Sequence, residues 1–369
     1  MRILHLLSST GFHGAEAMTA ELVRQQARLG QEVHVAAFDG GTPGQVEVLE
    51  AVADAVAGTV RLPCTGPWDR RTLQALDRYV AAHAIELVHS HKYKTTFYAL
   101  PGRWAGRYHL VTTYHNWLTH TPALKLYAAL DQRLARFNDA AVAVSTPVAQ
   151  VLQRHVPAER LHQIDNGIDT QRYRRQADRA TARRQLGLDP TQALIGFVGR
   201  LSREKGLPVL IDALTDPGQG MDACQVLIVG EGEMRPELEA LIQARGLQDR
   251  VTLLGNRRDT PLIYSALDAF VLPSLMEAFP MVLLEALACG CPVVATDVGE
   301  VRRIVTHGET GLVVPAGDPQ ALRTALMTLL GQPEVAADLA RRGLSRVTDQ
   351  FSAEQMAQRY LQVYAACRD

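Results

Sequence analysis

The chain has no long hydrophobic run, and this absence limits its relation to a membrane. No apolar stretch approaches the roughly 18 to 20 consecutive residues that a membrane-spanning helix needs. The opening segment Met1–Ser8 is too short, and too soon interrupted by polar residues, for a secretory signal. We therefore predict a cytoplasmic protein, which at most rests on the inner face of a membrane.

Cysteine and net charge are equally scarce. The five cysteines are odd in number and scattered, without a repeated Cys-x-x-Cys pair. This spacing predicts free thiols in a reducing compartment. The formal net charge is only -1, which gives no indication of a nucleic-acid partner. We expect no metal, no cofactor and no nucleic acid.

What the sequence does contain is a regular alternation of short β-rich runs and helical patterns. Such alternation predicts parallel sheets covered by helices on both faces. About a dozen strands and 369 residues are too many for one sheet and one core, so we predict two domains. The predicted strands are Arg2–Leu7, Glu32–Phe38, Thr59–Pro63, Glu86–His91, His109–His115, Ala140–Ser145, Ala193–Gly199, Gln225–Gly230, Val251–Gly255, Ala269–Pro273, Pro292–Thr296 and Gly311–Val314.

The polar, basic segment Asn166–Thr181 is the predicted break between the domains. We place a Rossmann-like domain at 1–167, a second at 168–351, and a C-terminal helix at 352–369 that packs back on the first domain. The fold class is therefore α/β, with two Rossmann-like domains facing across a cleft. Ligands of open parallel sheets bind at the carboxyl ends of the strands, so we expect functional residues there.

One set of candidates follows the strand Ala193–Gly199. Arg200 and Lys205 lie on a loop bounded by glycines. Two cations at a strand end suit a diphosphate, because Arg offers a bidentate fork and Lys a mobile point charge. A solvated basic loop is the alternative.

Two glutamates in an otherwise apolar run form the second set. Glu277 lies in the predicted loop after Pro273, and Glu285 lies in the helix that follows. Burying an unpaired carboxylate costs several kcal/mol, so Glu285 needs a partner. That partner is either a cation in the core or the vicinal hydroxyls of a ligand. The helix N-terminus beside Glu277 would also attract a diphosphate.

The loop after the first strand and the histidines at other strand ends are weaker signals. The loop Ser9–Glu16 lacks the Gly-x-Gly-x-x-Gly spacing of a dinucleotide site, which disfavours NAD. It is better suited to backbone contacts with a phosphate. Among His89, His91 and His115, the last is the best candidate, because it ends an apolar strand; a metal site would need a tighter ligand set.

Together these residues resemble glycosyltransferase family four, the retaining transferases of the GT-B fold, over nearly the whole chain. The most specific match is the E-x7-E motif of Glu277 and Glu285. The first loop resembles the family's Gly-Gly-Ala-Glu loop, with His13 in place of one glycine. Three further segments match: Asn166–Asp169, Gly199–Gly206 and Gly308–Gly311.

The resemblance implies catalytic roles for four residues. Arg200 and Lys205 would neutralise the diphosphate of a nucleotide sugar. Glu277 would hold hydroxyls of the donor sugar, and His115 would lie near that sugar. The resemblance also implies departure and attack on one face of the sugar, with the two cations stabilising the leaving diphosphate.

The resemblance also implies donor-binding roles. Glu285 would hold the ribose hydroxyls, and Gly14 would touch the phosphate. Many family members carry Gly where this chain has Pro280, and Pro has no N–H to donate. The donor contact must therefore come from Phe279, Met281 or their neighbours. The backbone of three further residues would hold the base: Leu254, Gly255 and Asn256.

The implied function is transfer of a sugar from a UDP- or GDP-sugar to a saccharide or lipid-linked acceptor, in the synthesis of a cell-surface polysaccharide or glycolipid. Three other functions remain: a GT-B nucleotide-sugar epimerase, an NAD-linked oxidoreductase, and a non-catalytic nucleotide-sugar binding module. The family places the acceptor in the N-terminal domain. Nothing in the sequence identifies the sugar.

A basic, aromatic segment lies in that N-terminal domain. Between Arg61 and Arg136 the chain has eleven Lys or Arg and four Asp or Glu, a net charge of +7. All three tryptophans are there: Trp68, Trp104 and Trp117. Such a mixture suits an interface with anionic lipid, or else a solvated basic surface over an aromatic core.

Overall fold

The computed structural model describes residues 1–9, 11, 14–42, 44–66, 68–91, 93–115, 122–215, 221 and 224–368, with only the backbone of 122–124. The chain divides into two compact units. The N-terminal unit comprises Met1–Gly167 and Ala353–Asp369, and the C-terminal unit comprises Ile168–Ser352. The chain thus leaves the N-terminal unit after Gly167 and returns to it at Ala353.

Within the described residues the strands are β1 (Arg2–Leu7), β2 (Glu32–Asp39), β3 (Gly58–Pro63), β4 (Leu87–His91), β5 (His109–Tyr114), β6 (Ala140–Ala143), β7 (Leu161–Gln163), β8 (Leu194–Val198), β9 (Gln225–Val229), β10 (Val251–Gly255), β11 (Ala269–Leu272), β12 (Val293–Thr296) and β13 (Leu312–Val314). The α-helices are α1 (Gly14–Arg28), α2 (Glu47–Val52), α3 (Arg70–Ala82), α4 (Tyr93–Trp104), α5 (Pro122–Leu134), α6 (Thr146–Leu152), α7 (Arg179–Gln185), α8 (Leu207–Ala213), α9 (Arg235–Ala244), α10 (Thr260–Ala266), α11 (Met281–Ala288), α12 (Val301–Ile304), α13 (Pro319–Gly331), α14 (Pro333–Gln350) and α15 (Ala353–Ala366).

Each unit is built on one parallel sheet. The strand order is β3-β2-β1-β4-β5-β6-β7 in the N-terminal unit and β10-β9-β8-β11-β12-β13 in the C-terminal unit. Both orders are those of a doubly wound Rossmann sheet, which confirms the predicted fold class. In each sheet the direction of winding reverses once: between β1 and β4, and between β8 and β11.

The central strands are buried along their whole length, because helices cover both faces of each sheet. In β8, for example, Leu194, Ile195 and Phe197 are at most 3% exposed. Their continuous apolar character, without the alternation of a half-exposed strand, made them recognisable in the sequence. The short β7 was not predicted.

The last helix, α15, packs against α1 in the N-terminal unit. Its apolar face buries Met356, Tyr360, Val363 and Tyr364, together with Ile3 of β1 and other side chains of the same core. These four residues recur at helical spacing, which is typical of an amphipathic helix.

All five cysteines carry free thiols, as their spacing predicted. Within the described part of the chain, no helix combines the length and the apolar character that crossing a membrane requires.

Candidate active site

Two loops meet at the point where the second sheet reverses its winding. The first, Gly199–Gly206, leaves the carboxyl end of β8, and the second, Pro273–Pro280, leaves the carboxyl end of the adjacent β11. The chain turns from these two strands to opposite sides of the sheet, which opens a crevice between the loops. Three of the predicted catalytic residues, Arg200, Lys205 and Glu277, lie on these loops.

Lys205 and Glu277 form an ion pair across the two loops. The Lys205 Nζ lies 2.7 Å from Glu277 Oε1, and the Ser274 hydroxyl donates to the same carboxylate oxygen at 2.7 Å. The side chains are 18% and 8% exposed, so the pair is largely shielded from water. A charge-assisted bond in such surroundings is stronger than an exposed one and holds both groups in place.

Glycines allow the loops to approach this closely. Gly206 has φ 62°, and a Cβ there would lie 2.2 Å from the Pro273 carbonyl oxygen. Gly299 has φ 53°, and its Cβ would lie 2.0 Å from the carbonyl oxygen of Glu277. No other residue fits either position, because positive φ and the lack of space act together.

Arg200 projects from the first loop in a different setting. Its guanidinium donates to Glu204 Oε1 at 2.6 Å, and its side chain is 68% exposed. It lines a cavity of about 330 Å³ at the carboxyl ends of β8, β9 and β10, together with Asn256 and the backbone of Gly230. The structure therefore brings Arg200 next to one of the residues predicted to hold the base. Gly255 ends β10 with φ 67° and accepts the Gly230 N–H at 2.9 Å.

Glu285 lies on α11 among apolar neighbours. Its carboxylate accepts a hydrogen bond from the Tyr264 hydroxyl at 2.8 Å, and the Tyr173 phenol also interacts with it. Burial raises the pKa of this carboxyl, and the two phenols and the nearby Arg172 only partly offset that effect. Within the described residues Glu285 has no ion-pair partner, so a salt bridge in the core does not explain it.

The helix α11 begins at Met281, with Pro280 as the residue before its first turn. The first N–H groups of a helix have no partner within it, so Met281 and its neighbours can present N–H donors to an anion. Phe279 is partly buried against Phe351 at a ring distance of 6.2 Å. Pro280 itself lies just outside the helix.

The two remaining predicted residues belong to the N-terminal unit. Gly14 is exposed and is the first residue of α1, and a Cβ there would meet no heavy atom within 4 Å. His115 directly follows β5, and its ring stacks on His91 at a centroid distance of 6.0 Å. His13, the departure from the family loop, lies outside the described residues.

Behind His91 lies a buried cluster of histidines. The rings of His5, His89 and His91 lie close enough to share an ion. Their nitrogens, however, are engaged in hydrogen bonds. His5 contacts His91 at 3.1 Å and Gln26 at 2.8 Å, and His89 contacts Thr113 at 2.7 Å and Tyr364 at 2.5 Å. This is a satisfied polar network that links β1 and β4 to α15.

Sequence patterns missed several residues of the site. Tyr173 and Tyr264, which contact Glu285, come from other elements of the chain, and Ser274 and Gly299 support Glu277. Of these four, only Ser274 lies directly beside the glutamate motif in sequence. The two tyrosines show no local signal, because their role depends on tertiary packing.

Comparison with known proteins supports the family resemblance that the sequence motifs indicated. The model of the family "Glycosyltransferase Family 4" matches residues 12–172, and that of "Glycosyl transferases group 1" matches residues 178–346. The D-inositol 3-phosphate glycosyltransferase of Nocardia farcinica is 31% identical, over 98% of this chain and 87% of its own length. The lipopolysaccharide core biosynthesis mannosyltransferase LpsB of Rhizobium meliloti is 34% identical, over 63% of this chain and 66% of its own.

Other curated relatives are matched over about half of their length. Among solved structures, the Anabaena protein Alr3699/HepE in complex with UDP superposes with a TM-score of 0.85, at 23% identity, over 99% of this chain and 100% of its own. That likeness shows the GT-B fold. The family models cover both Rossmann-like units, and the Nocardia relative matches almost the whole chain. The chain therefore belongs to glycosyltransferase family 4.

Proposed function

We propose that this protein transfers a sugar from a nucleoside-diphosphate sugar to a hydroxyl group of a saccharide or lipid-linked saccharide. The observation that carries the proposal is the Lys205–Glu277 ion pair at the reversal point of the second sheet. The pair sets a cation, which suits a leaving diphosphate, directly beside a carboxylate, which suits sugar hydroxyls. A pair buried only for stability would gain little over apolar side chains.

The donor would lie along the carboxyl ends of the second sheet. Arg200 and Lys205 bind the diphosphate, and the N–H groups at the start of α11, from Phe279 and Met281 onward, bind the remaining phosphate charge. Glu285 accepts hydrogen bonds from the ribose, and the backbone of Leu254, Gly255 and Asn256 holds the base. The cavity that joins Arg200 and Asn256 supports this arrangement.

The reaction would proceed with retention at the anomeric carbon. The bond between that carbon and the diphosphate oxygen breaks, and its electron pair leaves with the diphosphate. The acceptor oxygen attacks from the same face, and its proton passes to the departing phosphate. Glu277 is held by Lys205 and Ser274, so it serves better as an anchor for the sugar than as a nucleophile.

The donor is a UDP- or GDP-sugar, and the relatives suggest where a search should begin. One relative is named as a mannosyltransferase of lipopolysaccharide core synthesis and another as an inositol-phosphate glycosyltransferase. The fold neighbour binds UDP. These names support a hexose donor and an acceptor from cell-surface or glycolipid synthesis. We further propose that the N-terminal unit docks on the inner face of a membrane.

A two-stage experiment tests the proposal. UDP- and GDP-sugars are first screened for thermal stabilisation, since a ligand at 100 times its Kd adds about 2.7 kcal/mol. The stabilising donor is then incubated with candidate acceptors, and release of nucleoside diphosphate is measured. We expect release that depends on the acceptor. Epimerase activity would release free nucleotide or the epimer without any acceptor, and a binding module would be stabilised but would release nothing; either result contradicts the proposal.

A further inference from the structure

The N-terminal unit contains a cavity of about 460 Å³ that the donor site does not use. It opens at the carboxyl ends of β2 and β3, where Gly40 and Cys64 line it, and it continues between α4 and α5. Its volume falls within the range of roughly 300 to 1,000 Å³ typical of small-molecule sites. Its place at the strand ends is where ligands of a parallel sheet bind.

Aromatic rings form two sides of this cavity. Trp68 meets Phe97 edge to face at a ring distance of 4.0 Å, and Tyr93 stacks on Tyr127 at 5.5 Å with only 13° between the planes. Trp68 is 74% exposed although its ring faces a concave surface. Such an exposed indole gains stability when a flat, partly apolar ligand covers it.

Polar side chains interrupt the aromatic lining. Thr42, Gln45, Lys94 and Asp131 all face the cavity. Gln45 stabilises the wall by accepting the Gly40 N–H at 2.7 Å. The Lys94 ammonium lies 5.7 Å above the Phe38 ring, and within the described residues it forms no ion pair. Lys94 can therefore donate its hydrogen bonds to a ligand.

We propose that this cavity holds a sugar ring of the acceptor, with the C–H face of the ring on Trp68 and its hydroxyls toward Lys94 and Thr42. This inference rests on the proposed function. A sugar ring has an apolar face and a polar edge, as the cavity does. A lipid chain has no polar edge, and it would cover Thr42 and Lys94 without offering them hydrogen-bond partners.

Binding of simple probes tests the inference without requiring turnover. Methyl α-glycosides of mannose, glucose and galactose are titrated while tryptophan emission is recorded, with n-octanol as a probe for an alkyl chain. At least one glycoside should give a saturable change that persists in Trp104→Phe and disappears in Trp68→Phe. Trp104 is the matched control, because it is 57% exposed and contacts Phe137 outside the cavity. No saturable change with any glycoside, or a change with n-octanol alone, would overturn the proposal.

Kinetics provide the second test. Trp68→Ala should raise the acceptor KM about 10-fold, because it removes one aromatic contact. The donor KM should stay at the wild-type value, and Trp104→Ala should change neither KM. A wild-type acceptor KM in Trp68→Ala refutes the acceptor cavity while leaving the proposed function intact. A wild-type protein that binds glycosides through Trp68 but transfers no sugar refutes the proposed function instead.

Discussion

At position 285 a carboxylate occupies a helix whose buried side chains are otherwise apolar. Burial raises its pKa, so the ionised form is less stable in the folded chain than in the unfolded one. The loss of stability begins as the pH rises past the unfolded pKa of 4.5, and it reaches its full size above the raised folded pKa. At neutral pH Glu285 therefore reduces stability, and we attribute its presence to a ligand.

The substitution Glu285→Gln separates stability from binding. Gln removes the charge and can still accept the Tyr264 hydrogen bond, so the free energy of unfolding at neutral pH should stay within about 0.5 kcal/mol of wild type or rise. Affinity for the free nucleotide should fall at least about tenfold, because a charge-assisted bond to the ribose weakens. Urea unfolding and calorimetry with UDP and GDP measure the two effects. A destabilised variant with unchanged affinity would assign Glu285 to the core.

Glu277 should respond in the opposite way. In Glu277→Gln the Lys205 ion pair is lost, so stability should fall, and turnover should fall because the donor sugar loses its anchor. Affinity for UDP or GDP alone should stay near wild type, since neither nucleotide carries a sugar. The same calorimetry serves as readout. Loss of nucleotide affinity here, with affinity retained in Glu285→Gln, would mean that the two roles are exchanged.

Arg200 and Lys205 should differ in how much each contributes to stability. Arg200→Ala removes a surface ion pair whose arginine is 68% exposed, so it should change the free energy of unfolding by about 0.5 kcal/mol or less. Lys205→Ala leaves Glu277 shielded and without a cation, so it should cost roughly 2 kcal/mol. Both should reduce turnover about 10²-fold, because each removes charge beside the leaving diphosphate. A variant that keeps the wild-type kcat/KM shows that its residue does not contact the diphosphate.

At the scale of elements, the sequence predicted what depends on local pattern. Arg2–Leu7 and Val251–Gly255 were predicted with the bounds of β1 and β10, and the other predicted strands differ from the observed ones by a residue or two. β7 was missed, because its three residues, Leu-His-Gln, have neither an apolar run nor a clear alternation. It forms as an edge strand on β6, through a pairing that no local signal encodes.

For the candidate site, too, the sequence indicated only what depends on local pattern. Arg200, Lys205 and Glu277 lie beside strand ends and glycines, so the sequence could indicate them. The contact between Lys205 and Glu277 could not be predicted, because it joins residues 72 positions apart. The tyrosines on Glu285 and the aromatic cavity of the N-terminal unit likewise arise from packing between separate elements.

The histidine network that joins α15 to β1 and β4 makes the N-terminal unit sensitive to acid. Burial lowers the pKa of His5 to about 4, and it lowers that of His89 well below the usual value of 6.5. Below about pH 6.5 these histidines become protonated in the unfolded chain but stay neutral in the folded one. The free energy of unfolding therefore falls as the pH is lowered, until the folded pKa is reached. His5 alone accounts for about 3 kcal/mol over this window.

Urea unfolding at about pH 7.5 and about pH 5 measures this loss. Between these two pH values the free energy of unfolding of the wild type should fall by about 2 kcal/mol or more. Each titrating histidine contributes about 1.4 kcal/mol per pH unit. His5→Gln should be less stable at the higher pH but should lose less on acidification, because its residue 5 no longer titrates. His155→Gln, at a partly exposed histidine of the same unit, should behave like wild type. Equal losses in wild type and His5→Gln contradict the assignment.

At the scale of the whole molecule, the described residues of the basic segment Arg61–Arg136 divide into those that are paired or buried and those that remain exposed. Several of its arginines are neutralised in ion pairs, such as Arg103 with Asp139 and Arg107 with Asp77. Some aromatics belong to the core, as Tyr98 does. What remains exposed includes Trp68, Trp104 and the surface of α5, where Lys125, Leu126, Leu130 and Arg133 lie at helical spacing. Trp117 lies outside the described residues.

Among the residues that the structure describes, this surface of α5 is well suited to an anionic membrane. Leu126 and Leu130 are 68% and 43% exposed, and the flanking Lys125 and Arg133 are exposed as well. Apolar side chains flanked by basic ones bind the interface through both burial and charge, with about 1 kcal/mol for each basic residue near the surface. Reversing two such charges should therefore weaken binding more than tenfold. Free arginines elsewhere in the chain should matter far less.

Sedimentation with vesicles of graded anionic lipid content tests this docking. Binding by the wild-type protein should rise with anionic lipid and fall with salt, because the attraction is screened. Lys125→Glu/Arg133→Glu should bind weakly at every composition. Arg174→Glu/Arg184→Glu makes the same change of charge on exposed side chains of the C-terminal unit, and it should sediment like wild type. If the wild-type protein fails to sediment at low salt and is fully active on a soluble saccharide, the protein does not act at a membrane, and the basic surface of α5 is simply solvated.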